Sequence, residues 1–525
     1  MFRAESSAAS RYQPPNTMTD RRLQLGLAAA GLLLAALDAL AVVTLLPQML
    51  EAVELPIDHI EAAAPIVTGF LGGYVVAMPL LGAFSDARGR LPAYAAALAV
   101  FGVGSTLTAL SPAIGWLVTG RVLQGLGGGA LVPLSLALAA DLYPTGQRGL
   151  AIGAVAAIQE AGSVLGPVYG ASLAAGLGGW RSVFWLNLPL GALIMVGLWL
   201  SLRRGLPASA PRGDAHRSVD WLGALLLGLG LGLAVVALYP DDPGNRAVNA
   251  KAIPFGVAAL LLLVAFAWRQ SRRLNPLVRR ELVRRPAFAG SLLTNLLTGG
   301  ALMVALVDVP ILARGVYSQD TWHSGLLLTR FLLGVPIGAL LGGWLAGRWG
   351  QRTSAAAGLL LAGAAFLLMS TWDLQELSAS ELAASAELAA CGLGFGLVIA
   401  PLSTAVLDQT QGSEHGMASS LVVLSRTVGM VLVLASLTSV GLARLQTILM
   451  QRHCDRITSA GGSLKDQVTA YENCLRGALL QEYREIFWIA AALCGLGALI
   501  ALVTLPRRGR RLTKARSTLP STAQG

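Results

Sequence analysis

The chain has 525 residues, 54% of them hydrophobic and only 13% charged, with a positive mean hydropathy. That balance excludes a water-soluble globule. The formal net charge of +11 does not indicate a nucleic-acid partner either, because the arginines sit in short stretches between long apolar runs, the pattern of positive loops on one side of a membrane.

Residues 1–22 are polar, carry Pro14 and Pro15, and read as a disordered cytoplasmic tail; no cleavable signal peptide is evident. Fourteen apolar segments follow, near 24–49, 61–83, 92–110, 115–139, 149–173, 182–202, 220–239, 253–270, 288–313, 323–346, 353–371, 387–407, 416–449 and 475–505. With a cytoplasmic N-terminus, the inside loops hold Arg88 and Arg90, four arginines from Arg203 to Arg217, seven from Arg269 to Arg285, and six basic residues from Arg507 on. The short loops are strongly biased, so both termini are expected in the cytoplasm of a bacterium, around its inner membrane.

The first segment carries Asp38 near mid-membrane, where an ionisable group is costly and functional by default. The second ends in Gly82-Ala-Phe-Ser-Asp86-Ala-Arg88-Gly89-Arg90, a charged turn in which Gly82 allows a close helix crossing, Asp86 can face the positive N-terminus of another helix, and the arginines anchor the turn. The fourth contains Arg121-Val-Leu-Gln124-Gly125-Leu-Gly127-Gly128-Gly129, and the fifth Gln159-Glu160 followed by Gly162-Ser-Val-Leu-Gly166-Pro167-Val-Tyr-Gly170, small residues and a proline that shape a kinked, closely packed helix. The seventh and eighth segments lack interior charge and are expected to be peripheral and lipid-facing.

In the second half, Asp308 precedes Pro310 at the outer end of the ninth segment, either gating an exit or snorkelling to the interface. Arg330 either lines a cavity or bonds a neighbouring helix. A degenerate copy of the turn, Gly343-Trp-Leu-Ala-Gly347-Arg348-Trp-Gly350-Gln-Arg352, then recurs, and Arg426 lies within the thirteenth segment. Burial favours the protonated form of a carboxylate and a nearby arginine the ionised form, so Asp38 and Glu160 can alternate between protonated and Arg426-paired states; a static ion network is the alternative. From Gly416 to Leu449 no proline interrupts a helix that would reach about 51 Å, well beyond an apolar core of about 30 Å, so it should protrude outside. Cys454 and Cys474 share the outer loop, as a disulfide or as two thiols.

The doubled turn, the Arg121 run and the Gly162 to Gly170 run resemble signatures of the major facilitator superfamily. Nearly the whole chain, from about residue 23 to 505, is similar to its fourteen-helix drug:proton antiporter branch, and within it to mycobacterial triacylglyceride exporters that work beside a lipid-carrying lipoprotein. The likeness rests on Leu37-Asp38, Ala77-Met78-Pro79-Leu80-Leu81-Gly82, Gln159-Glu160, Ala301-Leu-Met-Val, Leu306-Val-Asp308-Val, Pro336-Ile-Gly-Ala and Gly396-Leu-Val-Ile. It implies an all-α membrane protein of the major facilitator fold: a six-helix bundle at 23–204, a linker with two transmembrane helices at 205–286, a second bundle at 287–506 with outer helices extended near 440–480, and a basic cytoplasmic tail at 507–525. It assigns Asp38, Glu160 and Arg426 to the proton and interdomain ion cluster, Arg121 to proton transfer, and Asp86 to stabilising the outward-open state. Arg330 and the cysteine pair fall outside it.

The expected function is proton-coupled export of a neutral, triacylglyceride-like lipid from the inner leaflet by alternating access, with a multidrug:proton antiporter as the alternative. The expected partners are membrane lipids, the lipid substrate, protons and a periplasmic lipid-carrying lipoprotein, for a monomer without cofactor. An enzyme is disfavoured, because no nucleophile constellation, metal-ligand spacing or Walker-type phosphate loop is present.

Overall fold

The computed structural model describes residues 18–53, 64–203, 220–238, 251–273, 276–319, 321–375, 381–452, 454 and 464–506. Residues 1–17, the Gly461-Gly462 stretch and the tail from Arg507 lie outside them. Inside a bilayer every backbone group must be satisfied within the segment, so each apolar run forms a helix. The N-terminal half contains α1 (Met18–Glu51), α2 (Ala64–Arg88), α3 (Arg90–Ala109), α4 (Ile114–Leu142), α5 (Thr145–Gly176) and α6 (Arg181–Arg203). Between the halves stand α7 (Trp221–Leu238) and α8 (Ala252–Arg272). The C-terminal half contains α9 (Pro286–Gly315), α10 (Thr321–Trp349), α11 (Gln351–Met369), α12 (Glu381–Leu407), α13 (His415–Gln451) and α14 (Leu464–Thr504). These fourteen helices are long and apolar enough to cross a membrane, and no strand occurs among the described residues.

Successive helices alternate in direction, so the Arg88 to Arg90 turn, the α4–α5 turn, the α10–α11 turn and the start of α13 share one side, termed the basic face below. Two of those turns are built alike. Gly89 and Gly350 cap α3 and α11 with φ of 95° and 93°, a conformation that an L side chain resists, so glycine lets the chain reverse within one residue.

The halves meet along two seams, α2 against α13 and α5 against α10, and the seams mirror one another. A Cβ on Gly82 would lie 2.7 Å from the Gly416 carbonyl oxygen, and one on Gly343 would lie 2.4 Å from that of Gly149. Both of these close approaches lie near the basic face. There the N-terminal apolar core runs on into Ala400, Val406 and Val422, so the halves share packing at that level. The C-terminal half has its own core, in which Phe366 packs against both Phe395 and Phe487.

The linker helices both present exposed apolar faces, as expected of a peripheral pair, but they are not equally loose. Helix α8 does lie outside, with Ile253 80% exposed, but α7 is packed: Gly228 and Gly232 let it rest on Val76 of α2, and Trp221 meets Phe84 at 5.7 Å between ring centroids. Its glycine stripe removes the side chains that would hold two helices apart. Asp220, at its start, is buried and held by Arg269 at 2.8 Å.

Helices α13 and α14 have 37 and 41 residues, about 55 and 61 Å at 1.5 Å per residue, so they extend past an apolar core of about 30 Å on the side opposite the basic face. Arg444 clasps Glu485 through two hydrogen bonds of 2.7 and 2.8 Å, Arg452 donates to Gln481, and Cys454 is bonded to Cys474. The disulfide closes a separation of 20 residues, which constrains the unfolded chain by about 3 kcal/mol. Untreated protein should therefore yield no alkylation at Cys454 or Cys474 and full alkylation after reduction, and Cys454→Ser should lower the unfolding temperature. Two thiols that alkylate freely without reductant would contradict this.

Candidate functional site

Three groups of charged residues span the interface between the halves. At the basic face, Asp86 does sit at a helix N-terminus: its two oxygens accept hydrogen bonds of 2.8 Å from the backbone N–H groups of Gly416 and Met417, in the first turn of α13. Free N–H groups and the helix dipole both favour a carboxylate there. Gly82, one turn earlier, makes the crossing possible, since any Cβ would strike Ser420 of α13.

The arginines of the turn divide. Arg88 is exposed, whereas Arg90 is 6% exposed and is no surface anchor. Arg90 donates to Asp86 at 2.6 Å, to Asp141 of α4 at 2.9 Å and to the Gly412 carbonyl at 2.9 Å. His415 completes the lock by donating from Nδ1 to Asp141 at 2.7 Å. The sequence reading passed over both Asp141 and His415.

The second copy builds a related but smaller lock. Asp408, at the end of α12, accepts from Arg148 at 2.9 Å and from Gln351 at 2.7 Å, so Arg148 and Gln351 stand where His415 and Arg90 stand in the first. Gly347 occupies the place of Asp86, and no carboxylate caps the first turn of α5. A Cβ there would lie 3.7 Å from the Gly146 carbonyl, in ordinary contact. Gly347→Asp should therefore add a capping charge worth about 0.3–1 kcal/mol and hold the basic face closed more tightly. Alkylation of a cysteine placed at Ala157, in the α5–α10 seam, should slow by about two- to fivefold. An unchanged rate would show that the second lock does not limit opening.

Deeper in the membrane the expected ion cluster is two separate pairs. Asp38 is fully buried and accepts from Arg121 at 2.8 Å, from Asn187 of α6 at 2.7 Å and from Gln124 at 3.1 Å. Ser105 of α3 accepts from Gln124 at 2.9 Å, and the Arg121 guanidinium stacks over Phe70 at 4.3 Å. Arg426 instead pairs with Glu160, at 3.2 Å across the interface. In this conformation Asp38 does not pair with Arg426: Arg121, 1% exposed on the neighbouring helix, itself requires a counter-charge, and Asp38 supplies it.

Between the pairs runs α2, where Phe70 lies under Arg121 and Tyr74, 5.9 Å from Phe70, feels the charges of both Arg426 and Glu160. Gly162, Gly166 and Gly170 form the face on which α5 meets α1, against Ala36, Leu37 and Ala41, and Pro167 lies in the same turn with its carbonyl accepting from Thr44. This packing holds Glu160 and Asp38 at neighbouring depths.

Two further residues lie apart from these groups. Arg330 takes the second of its two readings: it bonds Ser385 at 2.6 Å and Glu381 at 2.5 Å on α12. Asp308 is only partly exposed, near the outer end of α9 within the C-terminal half. The described residues contain no group of three or more metal-ligating side chains.

Two six-helix halves closed at one face by reciprocal charge locks, with one charge pair at bilayer depth between them and another within the N-terminal half, define a multi-pass membrane transporter. The chain belongs to the Major Facilitator Superfamily, whose family model matches residues 28–434 and 319–523. It is 40% identical over 495 residues to a triacylglyceride transporter of Mycolicibacterium smegmatis, covering 92% of this chain and 87% of that one. Over 516 residues it is 39% identical to a triacylglyceride transporter of Mycolicibacterium hassiacum, covering 94% and 95%. A triacylglyceride transporter of Mycobacterium tuberculosis is 38% identical over 501 residues, covering 93% and 95%. Among solved structures, the human organic anion transporter MFSD10 (TETRAN) aligns with a TM-score of 0.60 at 19% identity over 93% of this chain and 100% of that chain. The proton:xylose symporter XylE aligns at 0.59 and 14% identity, over 93% and 96%. At such identities these two speak for the fold alone.

Proposed function

We propose that this protein is a proton-coupled exporter of a neutral, triacylglyceride-like lipid, working by alternating access from the inner leaflet of a bacterial cytoplasmic membrane. The observation that carries the substrate is the 38–40% identity, across more than nine-tenths of the chain, to proteins named triacylglyceride transporters. The basic face is then cytoplasmic, with both termini on that side, in keeping with the arginine bias of its loops. With the seams tight at that face, the conformation corresponds to the outward-facing state.

In this reading, release of the Asp86 and Asp408 locks opens the cytoplasmic side. Protonation of Asp38 or Glu160 weakens its pair with Arg121 or Arg426 and lets the halves rock about the site. The extension of α13 and α14 gives the lipid an apolar path away from the bilayer and a surface for a lipid-carrying lipoprotein.

Saturable binding of a fluorescent triacylglyceride to the purified protein, displaced by unlabelled triacylglyceride and not by a cationic dye, is the expected result. Saturable binding of the dye with none of the lipid would replace this reading with a multidrug antiporter.

A further inference from the structure

The two locks at the basic face differ at one decisive position. A carboxylate near the end of a helix anchors each: Asp141 of α4 in the first, Asp408 after α12 in the second. Across the interface Asp408 meets Arg148 at 2.9 Å, a guanidinium that stays charged at every physiological pH. In the same place Asp141 meets His415, at 2.7 Å from Nδ1 to Oδ1. Histidine is the side chain whose charge changes between about pH 5 and 8.

Charge balance separates the locks further. In the second, Asp408 and Arg148 cancel, and Gln351 is neutral. In the first, two carboxylates, Asp86 and Asp141, share the single guanidinium of Arg90. That group is one negative charge in excess while His415 is neutral, and balanced once His415 is protonated. Arg90 is 6% and His415 4% exposed, so an unbalanced charge among them is costly.

The neighbouring charges leave this balance to His415. Arg88 of α2 is exposed. Glu414, the residue before His415, is held by Arg279 at 2.8 Å, and Asp220, at the start of α7, by Arg269 at 2.8 Å. Arg285, at the start of α9, donates to the Gln409 carbonyl. Arg426, about three turns further along α13, pairs with Glu160. The positive end of the α13 dipole opposes a cation at its first residue, but Asp86 accepts from Gly416 and Met417 in that same turn and offsets it.

We propose that His415 is a pH sensor built into the first lock. Protonated, it completes a neutral group of four charges that ties α13 to α4 and holds the basic face closed. Deprotonated, it leaves a carboxylate uncompensated and loosens the seam between α2 and α13. The closed form binds the proton, so opening is favoured as pH rises, by at most about tenfold per pH unit for one proton. With that face cytoplasmic, as the proposed function has it, an acidified cytoplasm stalls the carrier with its inner side shut and keeps it from admitting further protons. The sensor depends neither on the substrate nor on where the coupling proton binds.

Spin labels on cysteines placed at Leu150 of α5 and Trp349 of α10, 50% and 53% exposed, would report the width of the basic face in purified protein. The native cysteines do not compete, because Cys391 and Cys494 are buried and Cys454 is bonded to Cys474. Between about pH 6 and 8 the wide population should grow as pH rises while His415 is present. His415→Arg installs the group that the second lock uses, and should stay narrow throughout. His415→Asn, whose amide can donate as Nδ1 does, should be as wide at the acid end as the parent is at the alkaline end. The response should persist in Asp38→Asn/Arg121→Gln, where no proton can bind at Asp38. A parent that ignores pH, a response that survives in both His415 variants, or one that vanishes with the Asp38 pair would overturn the proposal. Gradient-driven transport is not part of this reading, so the sensor and the proposed function fail separately.

Discussion

Asp38→Asn is expected to eliminate gradient-driven transport, reducing it to the level of vesicles without protein. The carboxylate is the one titratable acceptor for Arg121, and the amide retains its shape while losing both the charge and the capacity to take up a proton. The cost also falls on stability. Removing one partner of a buried ion pair typically costs about 3–5 kcal/mol, because the other charge is left uncompensated. Asp38→Asn alone should therefore unfold at a lower temperature. Asp38→Asn/Arg121→Gln removes both charges and should recover most of that stability without recovering transport, which separates coupling from folding. Transport that returns together with stability in the double variant would make the pair a structural strut.

Asp86→Asn should shift the protein towards opening at the basic face. Asn can offer one carbonyl to the N–H groups of Gly416 and Met417, but it turns an amide donor towards the other and gives Arg90 no charge. Hydrogen bonds to a charged group contribute about 1.5–3 kcal/mol, so the population of the opened form should rise about 10- to 100-fold. A cysteine at Ala157, 6% exposed in the α5–α10 seam, should be alkylated from the basic face faster by the same factor. An unchanged rate in folded protein would mean that Arg90, Asp141 and His415 hold the face closed without the helix cap.

The spans and the first lock were legible because each is a local pattern. Apolar runs longer than the bilayer is thick admit few structures, and the spacing from Gly82 to Arg90 places glycine, carboxylate and arginine on one turn. The long unbroken stretch after Gly416 announced the extension, while the cysteines flanking its loop left a disulfide as one of two readings, which the structure takes. The pairing of Asp38 was not legible. Arg121 and Arg426 are both within reach of a mid-membrane carboxylate, and only the packing of α1 on α4 decides between them. Gln124 and Asn187 carry no charge and so raised no flag, although Gln124 follows Arg121 on the same helix face. The remaining members of the locks did leave a trace: the same spacing separates Asp141 from Asp408 as separates Arg148 from His415, and extending the repeat beyond the turn would have found them. Helix α7 looked peripheral because it lacks charge, yet its glycines at 228 and 232 are a packing surface.

The most direct measurement is movement of a fluorescent triacylglyceride in proteoliposomes, with and without an imposed proton gradient, comparing wild type with Asp38→Asn and running a cationic dye in parallel. Lipid movement that requires the gradient and disappears in the variant is the predicted result. Dye movement without lipid movement, or lipid movement indifferent to both gradient and variant, would contradict proton-coupled lipid export.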